Sequence, residues 1–171
     1  MATNLQFVKQ TSATNVSSMN ITDCFSSGYD VYKVFLTKLE GYQSGNRNIH
    51  MRFIDTNSSV ISGSEYSWAA LNLRSYSSFS QGKSANDTEI ERIQIYGDTD
   101  VEFGTVLYIF NPYNSSSYTF AKWKSAGLIN TPYLYGIAGI GVHKQTEQIT
   151  GINFISNADN FNLTVSVFGV K

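Results

Sequence analysis

The clearest pattern of alternating apolar and polar positions lies between residues 147 and 170. From Phe161 to Val167 apolar residues occupy every second position, which is the period of a strand with one buried face. A second apolar run covers residues 149–155, and residues 156–160 between the two runs are mostly turn formers. We therefore predict that the two runs form a closing hairpin.

Seven further segments have the length and composition of strands. They are residues 29–39, 47–55, 65–74, 90–96, 103–110, 118–123 and 132–142. Residues 65–74 fit a helix about as well as a strand, and we favour a strand because the neighbouring segments predict β-structure. Residues 75–89 show no periodicity and are predicted to be a surface loop.

These segments amount to about nine short strands without a long helix. Several short strands separated by turn signals are typical of antiparallel sandwiches and barrels. The sequence therefore predicts an all-β fold, an antiparallel two-sheet β-sandwich with the jelly-roll connectivity. The length of 171 residues suits one such domain.

The first 28 residues differ from the rest of the chain because Thr, Ser and Asn dominate them. So polar a segment has little apolar surface to hold it on a core. We consider two arrangements, an N-terminal arm that docks on a partner and ordinary edge strands of the same domain. Residues 29–171 are assigned to the β-sandwich.

The composition limits the choice of partners. Charged residues make up 15% of the chain, against about 25% in an average soluble domain. The formal net charge is −1, and neither sign forms a long run. The sequence therefore predicts no nucleic-acid partner and no membrane partner.

The single cysteine and the N-terminal residues indicate the cellular environment. Cys24 has no second cysteine with which to form an intramolecular disulfide, and we expect it to be a small buried apolar residue or an incidental thiol. The first ten residues lack the basic start and apolar stretch of a signal peptide. We expect a protein made in a cytoplasm and not exported by a cleaved signal.

No sequence motif indicates a catalytic centre. His50 lies at a polar position of a predicted strand and His143 in a predicted turn, and neither has a carboxylate at a spacing that suggests a shared site. We expect both histidines to be solvated. The sequence accordingly predicts that the chain is not an enzyme and assigns it no cofactor and no metal.

An alternative for metal binding is a calcium site made from two loops. Asp98, Asp100 and Glu102 occupy alternate positions, and Asp55 and Asn57 offer further oxygen ligands. Carboxylates at this spacing also occur on the solvated face of a strand, which is the interpretation we favour.

Aromatic residues in or beside polar segments are the best candidates for a binding site. They are Tyr42, Tyr76, Phe79, Tyr113 and Tyr118. Aromatic side chains are common in protein interfaces, and aromatic platforms also hold sugar rings. The other interpretation, which we rank first, is that they are partly buried anchors of their loops.

The chain resembles the small all-β virion proteins of tailed bacteriophages, especially those of aquatic phages. The resemblance rests on the ending ITGINFISNADNFNLTVSVFGVK, on YDVYKVFL near the start, and on MRFID before a turn of small residues. Related sequences often have tyrosine where this chain has Phe168. The resemblance implies a jelly-roll-like protein displayed in many copies on a virion.

Three functions follow from these observations. The first is a capsid decoration or cement protein that forms a homo-oligomer and contacts the major capsid protein or tail proteins. The second is a tail-fibre or adhesin domain that binds glycans of the host surface. The third, a small hydrolase, needs a pair of acids in a cleft, and the sequence shows no such pair.

Overall fold

The computed structural model describes residues 4–41, 47–96, 103–129 and 133–171. Within these ranges the chain is all-β, and no helix there is long and apolar enough to span a membrane. The strands are β1 Leu5–Val16, β2 Ser18–Ile21, β3 Val31–Gly41, β4 Arg47–Asp55, β5 Tyr66–Arg74, β6 Ser80–Asp87, β7 Ile90–Tyr96, β8 Phe103–Phe110, β9 Thr119–Ile129, β10 Tyr133–His143, β11 Ile149–Ser156 and β12 Phe161–Val170.

The strands form two antiparallel sheets. The large sheet has the order β1-β12-β3-β8-β9-β10-β5-β6, and the small sheet has the order β2-β11-β4-β7. The predicted two-sheet antiparallel sandwich is confirmed. The described residues contain twelve strands rather than about nine, because β1, β2 and β6 add to the predicted set.

Eight of the strands have the jelly-roll connectivity. When jelly-roll strands are numbered along the chain, one sheet has the order 1-8-3-6 and the other 2-7-4-5. The orders β1-β12-β3-β8 and β2-β11-β4-β7 reproduce both sheets. The remaining strands, β5, β6, β9 and β10, are two insertions that pair with each other through β5 and β10. They extend the large sheet beyond β8.

The predicted closing hairpin is wrong. Strand β11 pairs with β2 and β4 in the small sheet, whereas β12 pairs with β1 and β3 in the large sheet. The turn formers of residues 156–160 do reverse the chain. Turn residues specify that reversal but not the sheet in which the next strand pairs, so the sequence could not distinguish a hairpin from a crossing between sheets.

The predicted surface loop at residues 75–89 contains a strand, and this prediction is also wrong. β6 pairs with β5 along one side and is the edge of the large sheet. Its residues are half-buried or exposed on both faces, so it carries no apolar alternation. The ladder of backbone hydrogen bonds to β5 makes it a strand. The ambiguous segment 65–74 is strand β5, as predicted.

The polar first 28 residues contribute an edge strand to each sheet. β1 pairs with β12 at one edge of the large sheet, and β2 pairs with β11 at one edge of the small sheet. The inward residues Met19 and Ile21 of β2 are buried. Both strands thus complete the sandwich formed by the rest of the chain.

The core lies between the sheets and is rich in aromatic residues. Its largest fully buried side chains include Trp123, Tyr32, Tyr66, Tyr135 and Phe53. Cys24 is a free, buried cysteine, as predicted. Burial raises the pKa of its thiol to about 12, so it stays protonated and unreactive at neutral pH.

Trp123 connects the inserted strands to the small sheet. Its indole Nε1 donates a hydrogen bond of 2.9 Å to the carbonyl oxygen of Arg92 in β7. Its ring also lies directly over Gly139 of β10, where the Cβ of any other residue would be 2.2 Å from Cζ2 of the ring. Arg92 itself adopts a left-handed backbone conformation with φ of 58°.

Candidate functional site

The outer side of the large sheet is apolar and exposed where β8, β9, β10 and β5 adjoin. Strand pairing aligns its outward residues in three rows across the sheet. The first row holds Phe110, Phe120 and Val142, the second Tyr108, Lys122, Ile140 and Ala69, and the third Val106, Lys124, Ala138 and Leu71. Ile140 is 61% exposed and Phe120 is 45% exposed.

Lysines are the charged residues on this surface, and no acidic residue occurs in the three rows. Lys33 of β3 lies opposite Tyr108 and continues the second row at one end, and Lys83 of β6 continues it beyond Ala69 at the other. The Nζ atom of Lys33 lies 5.6 Å from the centroid of the Tyr108 ring, within the range of a cation–π contact. We call the three rows together with Lys33 and Lys83 the lysine–aromatic face.

Aromatic contacts continue from this face towards β1. Phe35 of β3 contacts Phe168 of β12 edge to face, and Phe168 contacts Phe7 of β1 in the same way, each with ring centroids 5.7 Å apart. Phe7 is 59% exposed. The apolar surface thus spans most of the width of the large sheet.

A shallow groove of about 530 Å³ runs over the first two rows, between Phe110, Phe120 and Ile140. Contiguous exposed apolar surface of this kind marks sites of interaction with other molecules. The lysines make the surface attractive to a partner that carries negative charge. Because side chains alternate along a strand, the sequence spacing of Lys122 and Lys124 predicts that both lie on one side of β9, opposite Trp123.

One of the predicted aromatic residues, Tyr76, contacts Tyr133 near the first residue of β10, and a second, Phe79, lines a pocket close by. The rings of Tyr76 and Tyr133 lie 4.6 Å apart at an angle of 44°, and both are nearly half exposed. Phe79 is exposed beside them and lines a shallow pocket with Arg74 and Leu134. This group could support a sugar ring on its aromatic faces.

The other predicted aromatic residues do not join this group. Tyr113 and Tyr118 lie at the opposite end of β9, which has 11 residues and therefore separates the two ends by about 33 Å. Tyr113 lines a polar pocket with Tyr29 and Asn114. Tyr42 lies outside the described residues.

The expectation that both histidines are solvated is wrong. His50 is buried on the outer side of the small sheet, and its Nδ1 lies 2.6 Å from Oε1 of Glu89. Nη2 of Arg52 lies 2.9 Å from the other carboxylate oxygen of Glu89. The hydrogen bond from His50 lowers the pKa of Glu89, with a further contribution from the charge of Arg52 and opposition from burial. No sequence pattern indicates this site, because Glu89 is 39 residues from His50 along the chain.

His143 is also buried and meets two carboxylates. Its Nε2 lies 3.0 Å from Oε2 of Glu65 and 3.5 Å from Oε1 of Glu147. The imidazole contacts the ring of Tyr66, with centroids 5.0 Å apart. Burial raises the pKa of Glu147, the charges of Glu65 and Asp55 raise it further, and His143 opposes them.

The loop residues proposed for calcium do not form a described site. Oδ1 of Asp55 accepts hydrogen bonds from the backbone N–H groups of Asn57 and Ser59, at 2.8 and 2.9 Å. Asp55 therefore closes the turn after β4. Asp98, Asp100 and Glu102 lie outside the described residues.

The sequence matches no family model and no curated protein. Among solved structures, the fold is similar to the crystal structure of the marine PL-14 alginate lyase from Aplysia kurodai. The likeness covers 86% of this chain and 72% of that chain, with 8% sequence identity and a TM-score of 0.38.

This comparison contradicts the expectation that the chain is not an enzyme, because the similar structure is that of a lyase. We withdraw the expectation. At 8% identity and a TM-score of 0.38, however, the likeness carries no argument for lyase activity in this chain.

Proposed function

We propose that this chain is a structural protein of a phage virion, a capsid decoration or cement protein, that docks through its lysine–aromatic face on an acidic surface of another virion protein. The observation that carries the proposal is that face, with exposed apolar side chains and charges of one sign. The phage assignment itself comes from the sequence resemblance. The jelly-roll connectivity supports it because capsid domains use that architecture, although lectin domains use it as well.

The physical role of the face follows from its two kinds of side chain. Burial of Phe120, Ile140 and Leu71 against a partner removes apolar surface from water, which favours association. Lys122 and Lys124 need carboxylates opposite them, because burying unpaired charges is costly. Two copies placed face to face would set lysines against lysines, so the face suits a different protein better than itself. The homo-oligomer implied by the resemblance stays a prediction.

The proposal is tested first on purified particles of the phage that encodes the chain. We expect quantitative mass spectrometry to find this chain in numbers comparable to the major capsid protein. Far fewer copies would contradict a decoration role and indicate the tail or fibres, and absence from the particle would overturn the proposal.

The docking face is tested by adding the purified chain to particles that lack it. We expect the double variant Lys122→Glu with Lys124→Glu to bind at least about tenfold more weakly, because each lysine then repels the acidic partner surface. Binding of the unmodified chain should also weaken with salt. Lys38→Glu is the matched control, since Lys38 is exposed at a bulge of β3 outside the face. Equal loss in the control, or no loss in the double variant, would contradict the assignment of the face.

A second candidate function is supported by the contact between Tyr76 and Tyr133. Two half-exposed rings that contact each other at an angle of 44° offer aromatic faces of the kind that hold sugars. Arg74 lies close by along the chain, with its Cζ atom 5.5 Å from the centroid of the Tyr135 ring. In this proposal the chain is an adhesin domain of the particle that binds host-surface glycans.

The adhesin proposal predicts binding on an array of bacterial surface glycans. We expect Tyr76→Ala to lower this binding at least about tenfold, because a stacked ring contributes on the order of 1 kcal/mol or more. Tyr113→Ala, at the other end of β9, is the matched control and should bind as the unmodified chain does. Glycan binding that survives Tyr76→Ala would exclude this platform.

A further inference from the structure

Three potential metal ligands converge at the end of β10 that is opposite Tyr133, on the buried side of this strand. Nε2 of His143 lies 3.0 Å from Oε2 of Glu65 and 3.5 Å from Oε1 of Glu147. Ligand atoms at zinc are separated by about 3.3 Å, because Zn–N and Zn–O bonds of about 2.0 to 2.1 Å meet near the tetrahedral angle. Both distances from Nε2 of His143 are therefore close to the separation expected between two ligand atoms of one zinc ion.

Two of the three ligands are held by paired strands, and the third, Glu147, lies in the loop between β10 and β11. Glu65 immediately precedes β5, His143 is the last residue of β10, and those two strands are paired. The backbone N–H of Lys144 donates a hydrogen bond of 2.8 Å to the carbonyl oxygen of Glu65. His143 is completely buried, whereas the side chains of Glu65 and Glu147 are 32% and 38% exposed. An ion can therefore reach the carboxylates from solvent, and the imidazole forms the inner wall of the site.

The cluster around His50 differs from this site because one of its carboxylates already pairs with an arginine. His50, Glu89 and Glu91 also offer three ligand atoms close together, but Arg52 already forms an ion pair with Glu89. Among the described residues, no lysine or arginine forms an ion pair with Glu65 or Glu147. Two carboxylates therefore share one imidazole, and a cation would balance their charge.

We propose that Glu65, His143 and Glu147 bind a divalent transition-metal ion, with zinc as the best match. An imidazole ligand favours zinc and its neighbours over calcium and magnesium, which prefer oxygen ligands alone. Three protein ligands leave a fourth position for water or for a group from outside the chain. This proposal does not depend on the virion function.

The affinity of the site for zinc is limited by Nδ1 of His143, the ring nitrogen that does not bind the ion. Binding through Nε2 places the imidazole proton on Nδ1, which is enclosed and has no hydrogen-bond partner among the described residues. Histidine ligands held by a hydrogen bond from the other nitrogen gain about 10- to 100-fold in affinity. We therefore expect a dissociation constant on the order of micromolar, weaker than in structural zinc sites.

The test is calorimetric titration of the metal-free chain with Zn²⁺, together with the absorption spectrum of the Co²⁺ form. We expect one ion per chain and the intense visible bands of tetrahedral cobalt. Glu147→Gln should lower zinc affinity at least about tenfold and weaken those bands. Glu147 is partly exposed, so this variant should fold normally, and its circular dichroism spectrum and melting temperature check that it does.

Glu91→Gln is the matched control, because Glu91 belongs to the other histidine cluster. It should leave zinc affinity and the cobalt spectrum unchanged. The proposal is overturned if the unmodified chain binds no zinc at millimolar concentration, if Glu147→Gln binds as tightly as the unmodified chain, or if Glu91→Gln loses as much affinity as Glu147→Gln.

Discussion

Replacing Trp123 by alanine is expected to lower the free energy of unfolding by about 3 to 5 kcal/mol, the usual cost of removing a large buried aromatic side chain. Trp123 is 1% exposed, so the cavity would lie in the centre of the core. The variant also removes the donor to the Arg92 carbonyl. Urea unfolding followed by circular dichroism measures the loss, and Trp123→Phe is the control that keeps most of the ring but not the N–H.

Gly139 gives an independent check on the same contact. Its Cα faces the Trp123 ring, and a Cβ there would lie 2.2 Å from Cζ2. Gly139→Ala should therefore cost about 1 to 3 kcal/mol in the unmodified chain through overpacking. In the Trp123→Ala background the new methyl group enters the cavity, and the cost should largely disappear. Additive effects of the two substitutions would contradict the described packing.

The second prediction concerns how the free energy of unfolding changes at low pH. The pKa of Glu89 is lowered in the folded state, so the ionised carboxylate stabilises the fold at pH values above 4.5, the ordinary pKa of this group. This stability is lost as the pH falls below that value and through the lower pKa of the folded state. We expect Glu89→Gln to cost about 1.5 to 3 kcal/mol at pH 7, which is typical of hydrogen bonds to a charged group.

The decisive measurement is urea unfolding of both proteins at several pH values between 7 and 3. The difference between the unmodified chain and Glu89→Gln should shrink as the carboxylate takes up a proton. Asp30→Asn removes an exposed carboxylate outside this cluster, so it is the control and should follow the unmodified chain throughout. A difference that stays constant with pH would show that Glu89 contributes by packing and not by charge.

The sandwich could be predicted because most of its strands have one buried face. In β12 every second residue from Phe161 to Val167 is buried, which is the pattern that the sequence displays. Strand β6 could not be found in this way because neither of its faces is fully buried. The pairing of β11 and β12 in different sheets depends on long-range packing that turn residues do not encode.

The candidate sites show the same division between local pattern and tertiary pairing. The alternation of side chains along β9 predicts that Lys122 and Lys124 lie on the same side of the strand. Their alignment with Tyr108 and Ile140 depends on how β9 pairs with β8 and β10, which the sequence does not show. The lysine–aromatic face carries only positive charges, but it could not be predicted from the low net charge or from lysines that are scattered along the sequence. The carboxylate partner of His143 could not be predicted either, because Glu65 and His143 are brought together by the pairing of β5 with β10.

The position of the last two strands also governs the order in which the chain can fold during synthesis. Leu5 lies opposite Val170, and Ile21 lies opposite Ile152. At translation rates of about 5 to 20 residues per second, β1 therefore waits on the order of ten seconds for its partner. During that time β1 to β4 expose unpaired backbone to neighbouring nascent chains. Exchange of the last two strands between copies, giving domain-swapped dimers, is consequently the misassembly that this connectivity favours.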